Sequence, residues 1–333
     1  MKNRKITMND IAREAGVAKS TVSRYFNGGY VKESTREKIR AIARAYNYEP
    51  SAAAANLKLK KTRTVGIIAP TLDSITSGRM LESMDRFLKK NGYTVLIVST
   101  SHDVNQEVEA INYLQSIRVD GIILIATNLN LINQQIVNES KIPILVVAQN
   151  FHHVPSVIYD DYRAGYEVGQ YAGARGHKSV LYLGVNRVDD AVGVQRRKGV
   201  LEGLEEAGVE RIHVRETDFS FARARRVVRQ YLRDHSPDCI IGATDTIALA
   251  AYKELTAAGK KVPEDVSLIG FGGYEVSDVI TPGLCTIRFN NELCGQTAGK
   301  TIIGLIEQEP VATTQLIGYE FHEGGSVRDR HEP

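Results

Sequence analysis

At 333 residues the chain is too long for one simple core, and two or three domains are expected. A hydrophobic fraction of 43%, no apolar run of membrane-spanning length and a basic, polar first segment argue against a membrane span and a secretory leader, so a cytoplasmic location is expected. The net charge of +3 is unevenly spread: residues 1–63 hold 15 Lys and Arg against 5 Asp and Glu, and the rest hold 27 against 34. A basic head on an acidic body is what results when only the head meets nucleic acid.

Within the head, Thr7 and Asp10 have the spacing of a helix cap, and Ile11, Ala12 and Ala15 give that helix a narrow apolar face. Gly16 supplies the backbone for a tight turn, Val17 seals the corner, and a second helix starts near Ala18. Around its stripe of Val22 and Phe26 this helix carries Lys19, Ser20, Thr21, Ser23, Arg24 and Asn27. Small hydroxyls and long basic side chains at a helix N-terminus reach base edges and phosphates in a major groove. The alternative is a solvated amphipathic helix. A third helix, Ser34 to Asn47, is capped by Ser34 and turns Ile39, Ile42, Ala43 and Tyr46 inward. Residues 51–58, alanine-rich and flanked by basic residues, are too short to persist as an isolated helix, which makes them a linker or a hinge that folds on DNA.

From Thr64 onward, short apolar runs such as Val65–Ala69, Gly121–Ala126 and Val266–Phe271 alternate with helical patterns such as Gly78–Lys90 and Thr246–Gly259. This predicts parallel sheets with crossover helices, in two α/β lobes with a cleft between them. A TIM barrel competes, and irregular spacing with late strands near Ile317 to Phe321 opposes it. Cys239, Cys285 and Cys294 have no metal-ligand spacing and read as buried thiols; no metal or cofactor is expected. Serine-elbow, phosphate-loop and zinc motifs are missing, and the adjacent pairs Asp160-Asp161 and Asp189-Asp190 point apart in extended backbone, so an enzyme is not expected.

Taken in order, Asn9-Asp10-Ile11-Ala12, Ala15-Gly16-Val17, Ser20-Thr21-Val22-Ser23-Arg24, Tyr48-x-Pro50, Val119-Asp120-Gly121, Arg175-Gly176-His177, Ala243-Thr244-Asp245 and Val262-Pro263-Glu264-Asp265-Val266 resemble the LacI/GalR family of bacterial transcription regulators. Within the family the chain is similar to repressors of sucrose operons in Gram-positive bacteria. The resemblance implies an all-α helix-turn-helix head (1–50), a hinge (51–62) and a two-lobed, periplasmic-binding-protein-like α/β body (63–333). One lobe would be about 63–160 plus 290–325, the other about 161–289. It further implies a dimeric repressor of a sugar-utilisation operon, bound to a pseudo-palindromic operator and controlled by a small sugar between the lobes.

By the same resemblance Thr7, Lys19, Ser20, Thr21, Ser23, Arg24, Asn27 and Asn56 meet DNA, while Leu57 wedges into the minor groove. Asp73, Asp160, Arg196, Phe219 and Asp245 are the expected effector residues, with Tyr274 replacing a carboxylate that many relatives carry there. Adjacent sugar hydroxyls need paired hydrogen-bond partners, and the C–H face of a sugar needs an aromatic ring. A phosphorylated effector such as trehalose 6-phosphate is the alternative, favoured by Arg196-Arg197-Lys198 at a helix start. It is disfavoured by Thr71, which stands where trehalose-type repressors have a phosphate-binding arginine. An extracytoplasmic sugar-binding protein is a further alternative, opposed by the basic head.

Overall fold

A computed structural model describes residues 6–26, 28–48, 61–126, 131–151 and 153–331, with the backbone alone for 131–134. The chain divides into two units at the step from Thr62 to Arg63. Asn27, and Asn56 and Leu57 in the expected hinge, lie outside the described residues.

In the head, Thr7 and Asp10 close a capping box at the start of α1 (Met8–Ala15), the Thr7 N–H donating to the Asp10 carboxylate at 3.0 Å. Gly16 stops the helix at φ 69°, a left-handed conformation that costs glycine nothing, and α2 (Lys19–Phe26) follows. With α3 (Glu33–Ala45) these helices bury Ile11, Ala12, Ala15, Val22 and Ile39 in one core. Two details differ from the sequence reading. Ser34 lies inside α3, which begins after Lys32 with no side-chain cap. Tyr46 is 51% exposed, because α3 ends at Ala45 and helical periodicity no longer directs its ring inward.

The body consists of two open six-stranded sheets, not a closed barrel. The first lobe runs β1 (Thr64–Ala69), α4 (Ile75–Lys90), β2 (Thr94–Ser99), α5 (Val104–Ser116), β3 (Gly121–Ile125), α6 (Leu131–Asn138), β4 (Ile144–Val147) and β5 (Ser156–Tyr159). The second opens with α7 (Asp161–Ala174) and β6 (Ser179–Gly184), then a π-helical stretch, Asp190–Arg196, that passes into α8 (Arg197–Glu206). It continues through β7 (Arg211–Glu216), α9 (Phe221–Tyr231), β8 (Cys239–Gly242), α10 (Asp245–Ala257), β9 (Ser267–Phe271) and β10 (Cys285–Phe289). The chain then returns to the first lobe with α11 (Asn291–Ile306) and β11 (Thr314–Ile317), and crosses once more into β12 (Tyr319–His322).

Strand order is 11-5-4-3-1-2 in the first sheet, parallel throughout, and 12-10-9-8-6-7 in the second, parallel except for β12. Central strands such as β3 and β8 are buried along their whole length, as strands covered by helices on both faces must be. β7, at the sheet edge, keeps alternate charged residues. Because β12 pairs with β10, the last crossing falls at Gly318 and residues 319–322 belong to the second lobe's sheet, earlier than the boundary near 325 inferred from sequence. All three cysteines are buried, free thiols. Among the described residues no helix is long and apolar enough to cross a membrane.

Candidate functional site

On the head, Lys19, Ser20 and Arg24 project from α2 into solvent, and Thr21 and Ser23 are half-buried beside them. With Val22 buried in the core, α2 presents one apolar and one polar, basic face. The Thr7 hydroxyl is committed to its cap, donating to Asp10 at 2.7 Å, so the structure gives this residue a role in the helix start.

In the body, the order 2-1-3 in one sheet and 7-6-8 in the other places a reversal of strand order at β1 and at β6. Open α/β sheets hold ligands outside the carboxyl ends of their strands at such reversals. The loop after β1 carries Asp73, exposed, its N–H donating to the Thr71 hydroxyl at 3.1 Å. Asp160 follows β5 and caps α7, accepting from the Arg163 N–H at 3.3 Å. Phe219 follows β7 with 40% of its surface exposed, held by an Asp218–Ser220 turn that starts α9.

Arg196 is buried at the end of the π-helical stretch. Its Nε donates to Asp161 at 2.9 Å and its Nη2 donates to the same carboxylate oxygen, while Nη1 donates to the carbonyl of Ala243. The guanidinium carbon lies 4.8 and 5.0 Å from the ring centres of Phe271 and Phe289. The local backbone depends on Gly193, where a Cβ would overlap the Asn186 carbonyl. Asp189 caps the stretch through the Val192 N–H, and Ala191 N–H donates across the cleft to Gln149 at 3.2 Å.

Asp245 differs most from expectation. It has no exposed surface, and its carboxylate accepts from the Tyr274 N–H at 2.9 Å, the Ser277 hydroxyl at 2.9 Å and the Thr286 hydroxyl. Burial pushes its pKa up, against the pull of those donors. With its lone pairs so occupied, Asp245 shapes the 272–277 loop and does not face a ligand directly. That loop spans the cleft: the Tyr274 hydroxyl meets Thr76 at the start of α4 at 3.0 Å, and Arg79 pairs with Glu275 at 3.4 Å. Burial also raises the Tyr274 pKa.

The structure therefore places Asp160, Asp245 and Tyr274 just beyond strands β5, β8 and β9 and Arg196 at the end of the π-helical stretch, with Asp245 and Tyr274 engaged in holding the 272–277 loop. Asp161, Thr76, Ser277 and Thr286 are participants the sequence reading missed; the Asp-Asp pair at 160–161 was the one available signal. A cavity of about 560 Å³ at the lobe crossings, lined by Arg79, Arg86, Arg288, Glu292 and Tyr319 among others, includes none of the six expected effector residues. The strand-end geometry, not that cavity, locates the candidate site.

The class follows from comparison with known proteins. A profile described as periplasmic binding proteins and sugar binding domain of LacI family matches residues 62–322, and one for bacterial regulatory proteins, lacI family, matches residues 7–51. The chain belongs to the LacI family and is a DNA-binding transcriptional repressor of that family's two-part build. It is 32% identical over 312 residues to the sucrose operon repressor of Staphylococcus xylosus, covering 93% of this chain and 97% of that protein. It is 28% identical to catabolite control protein A of Priestia megaterium, over 85% of this chain and 87% of that one. Among solved structures, a Lac repressor dimer bound to operator and the anti-inducer ONPF matches with a TM-score of 0.88 at 24% identity, over 98% of this chain and all of that one. A transcriptional regulator CelR–cellobiose complex matches at 0.73 and 23%, over 96% of this chain and 99% of that chain.

Proposed function

We propose that the chain represses a sugar-utilisation operon, binding a pseudo-palindromic operator as a homodimer and responding to a neutral sugar, sucrose or a close relative, held between its lobes. The observation that carries the DNA part is α2, with exposed Lys19, Ser20 and Arg24 over a buried Val22. Thr21, Ser23 and Asn27 meet phosphates in this reading, and a hinge at 51–62 with Asn56 and Leu57 enters the minor groove.

For the effector, the exposed Asp73 carboxylate, Asp160 and the remaining N–H groups of Arg196 suit hydroxyls, and the Phe219 ring suits a sugar face. The likeness to a sucrose operon repressor supports the choice of sugar. A sugar that favours one lobe arrangement changes operator affinity by its differential affinity for the two arrangements. Large exposed apolar side chains on both lobes, Leu72 and Ile75 on one and Val276 and Val279 on the other, support a second copy as their cover.

The test is operator binding measured against salt for wild type and Arg24→Ala. Affinity should fall steeply with salt, and the variant should bind more weakly with a relaxed base preference. Salt-independent binding, or an Arg24→Ala protein that binds as the wild type does, would sink the reading. A thermal-shift screen of sucrose, trehalose, fructose, glucose and their phosphates then tests the effector, since a ligand at a hundred times its Kd adds about 2.7 kcal/mol.

A further inference from the structure

We infer that Asp161 sets the charge of the effector: by pairing with Arg196 it cancels the guanidinium buried beside the cleft, so the site selects an uncharged sugar over its phosphate. This rests on the reading of the cleft as the effector site.

Asp161 and Arg196 are 5% and 6% exposed, and two guanidinium nitrogens donate to one carboxylate oxygen. A third nitrogen is held by the Ala243 carbonyl, which leaves one hydrogen on each terminal nitrogen for a ligand. Those two hydrogens can donate to hydroxyl oxygens, but the positive charge behind them is already matched. Of the other cations nearby, Lys198 is paired with Glu202 at 3.7 Å and Arg79 with Glu275 at 3.4 Å, while Arg197 forms no ion pair with a described residue. Asp160 and Asp189 add negative charge around Asp161. A phosphate dianion brought to the two free guanidinium hydrogens of Arg196 loses its water and meets a positive charge already matched by Asp161, whereas a neutral hydroxyl loses little.

The expectation is direct. Asp161→Asn keeps an oxygen for Arg196 and removes the charge, so the guanidinium becomes available to an anion. Calorimetry on the full chain with sucrose and sucrose 6-phosphate should show wild type preferring the neutral sugar. Asp161→Asn should move the affinity ratio toward the phosphate by about tenfold, the scale of one charge-assisted contact. Sulfate should raise the melting temperature of the variant more than that of wild type. The double variant Asp161→Asn with Arg196→Gln, neutral again, should lose both effects. Asp161→Ser, which leaves room for an anion beside the guanidinium, carries the same expectation should the Asn protein fold poorly.

An unchanged ratio together with an unchanged sulfate response in both single variants would overturn the inference. If neither sugar binds any variant while sulfate stabilises only the single variants, the effector reading fails and the role of Asp161 stands.

Discussion

Removing the Asp245 side chain separates a carboxylate that holds a loop from one that holds a sugar. In Asp245→Ala the Tyr274 N–H, which cannot turn away, and the Ser277 and Thr286 hydroxyls lose their acceptor in a site with no exposed surface. The hydroxyls can rotate toward other acceptors, as Thr286 already does in part toward the Ile287 carbonyl at 3.4 Å. The unmatched N–H and the lost charge-assisted bonds then leave a net cost of about 3 kcal/mol. At roughly 2–4 °C per kcal/mol for a domain of this size, the melting temperature falls by about 6–12 °C. Calorimetric unfolding of the full chain measures this, and titration with the effector identified in the thermal-shift screen measures the accompanying loss of affinity. A melting temperature within about 1 °C of wild type combined with abolished binding would refute the reasoning, because it would make Asp245 a solvent-reached ligand.

Three further outcomes are expected. His177 donates from Nδ1 to the Ala172 carbonyl at 2.9 Å and accepts at Nε2 from the Ser267 hydroxyl at 2.8 Å, and burial holds its pKa below the ordinary value. Protonation then favours the unfolded chain, so stability is complete above about pH 6.5 and declines below it; His177→Gln should flatten that decline in melting curves between about pH 7.5 and 5. Glu254 is held below the usual carboxylate range by hydrogen bonds from Arg229 and Arg225, so its contribution is present at neutral pH and lost as pH falls through its lowered pKa. Glu254→Gln should cost about 1 kcal/mol at pH 7, discounted for the exposure of both arginines, and progressively less as the medium is acidified. Gly193→Ala forces the π-helical stretch away from Asn186 at a cost of about 1–3 kcal/mol, and effector affinity should fall with it; unaltered affinity would place the effector elsewhere.

The fold was legible because its signals are local. A cap, a left-handed glycine and a basic amphipathic helix lie within twenty residues of one another in the head, and buried parallel strands are continuous apolar runs such as Val65–Ala69. The edge strand β7 was less visible, since its Ile and Val alternate with Arg, His and Glu. For the candidate site, the residues named from sequence, such as Asp73, Asp160 and Asp245, follow strands of the body, but what each side chain touches was not legible. Asp245 and Arg196 stand out in sequence, yet the donors that occupy Asp245 arrive from residues 29 to 41 places away. Asp160 and Asp161 are neighbours on the chain, and the start of α7 separates them: one turns back to cap the helix and the other turns inward to Arg196. No periodicity announces which of two adjacent carboxylates will meet a guanidinium 35 residues on.

The three crossings between the lobes also fix an order of assembly. The second lobe's segments before Phe289 form one continuous stretch, but its sheet acquires its last strand from residues 319–322, and the first lobe's sheet acquires β11 from residues 314–317. Ser326, with no exposed surface, then joins two neighbouring strands, accepting from the Cys285 N–H at 2.7 Å and donating to the Leu268 carbonyl at 2.6 Å. During synthesis the helical head has all its residues early, whereas both lobes wait for the same late segment to complete their sheets. The body thus matures as a pair, and a chain broken before residue 314 would leave two unfinished sheet edges where the intact chain has strands.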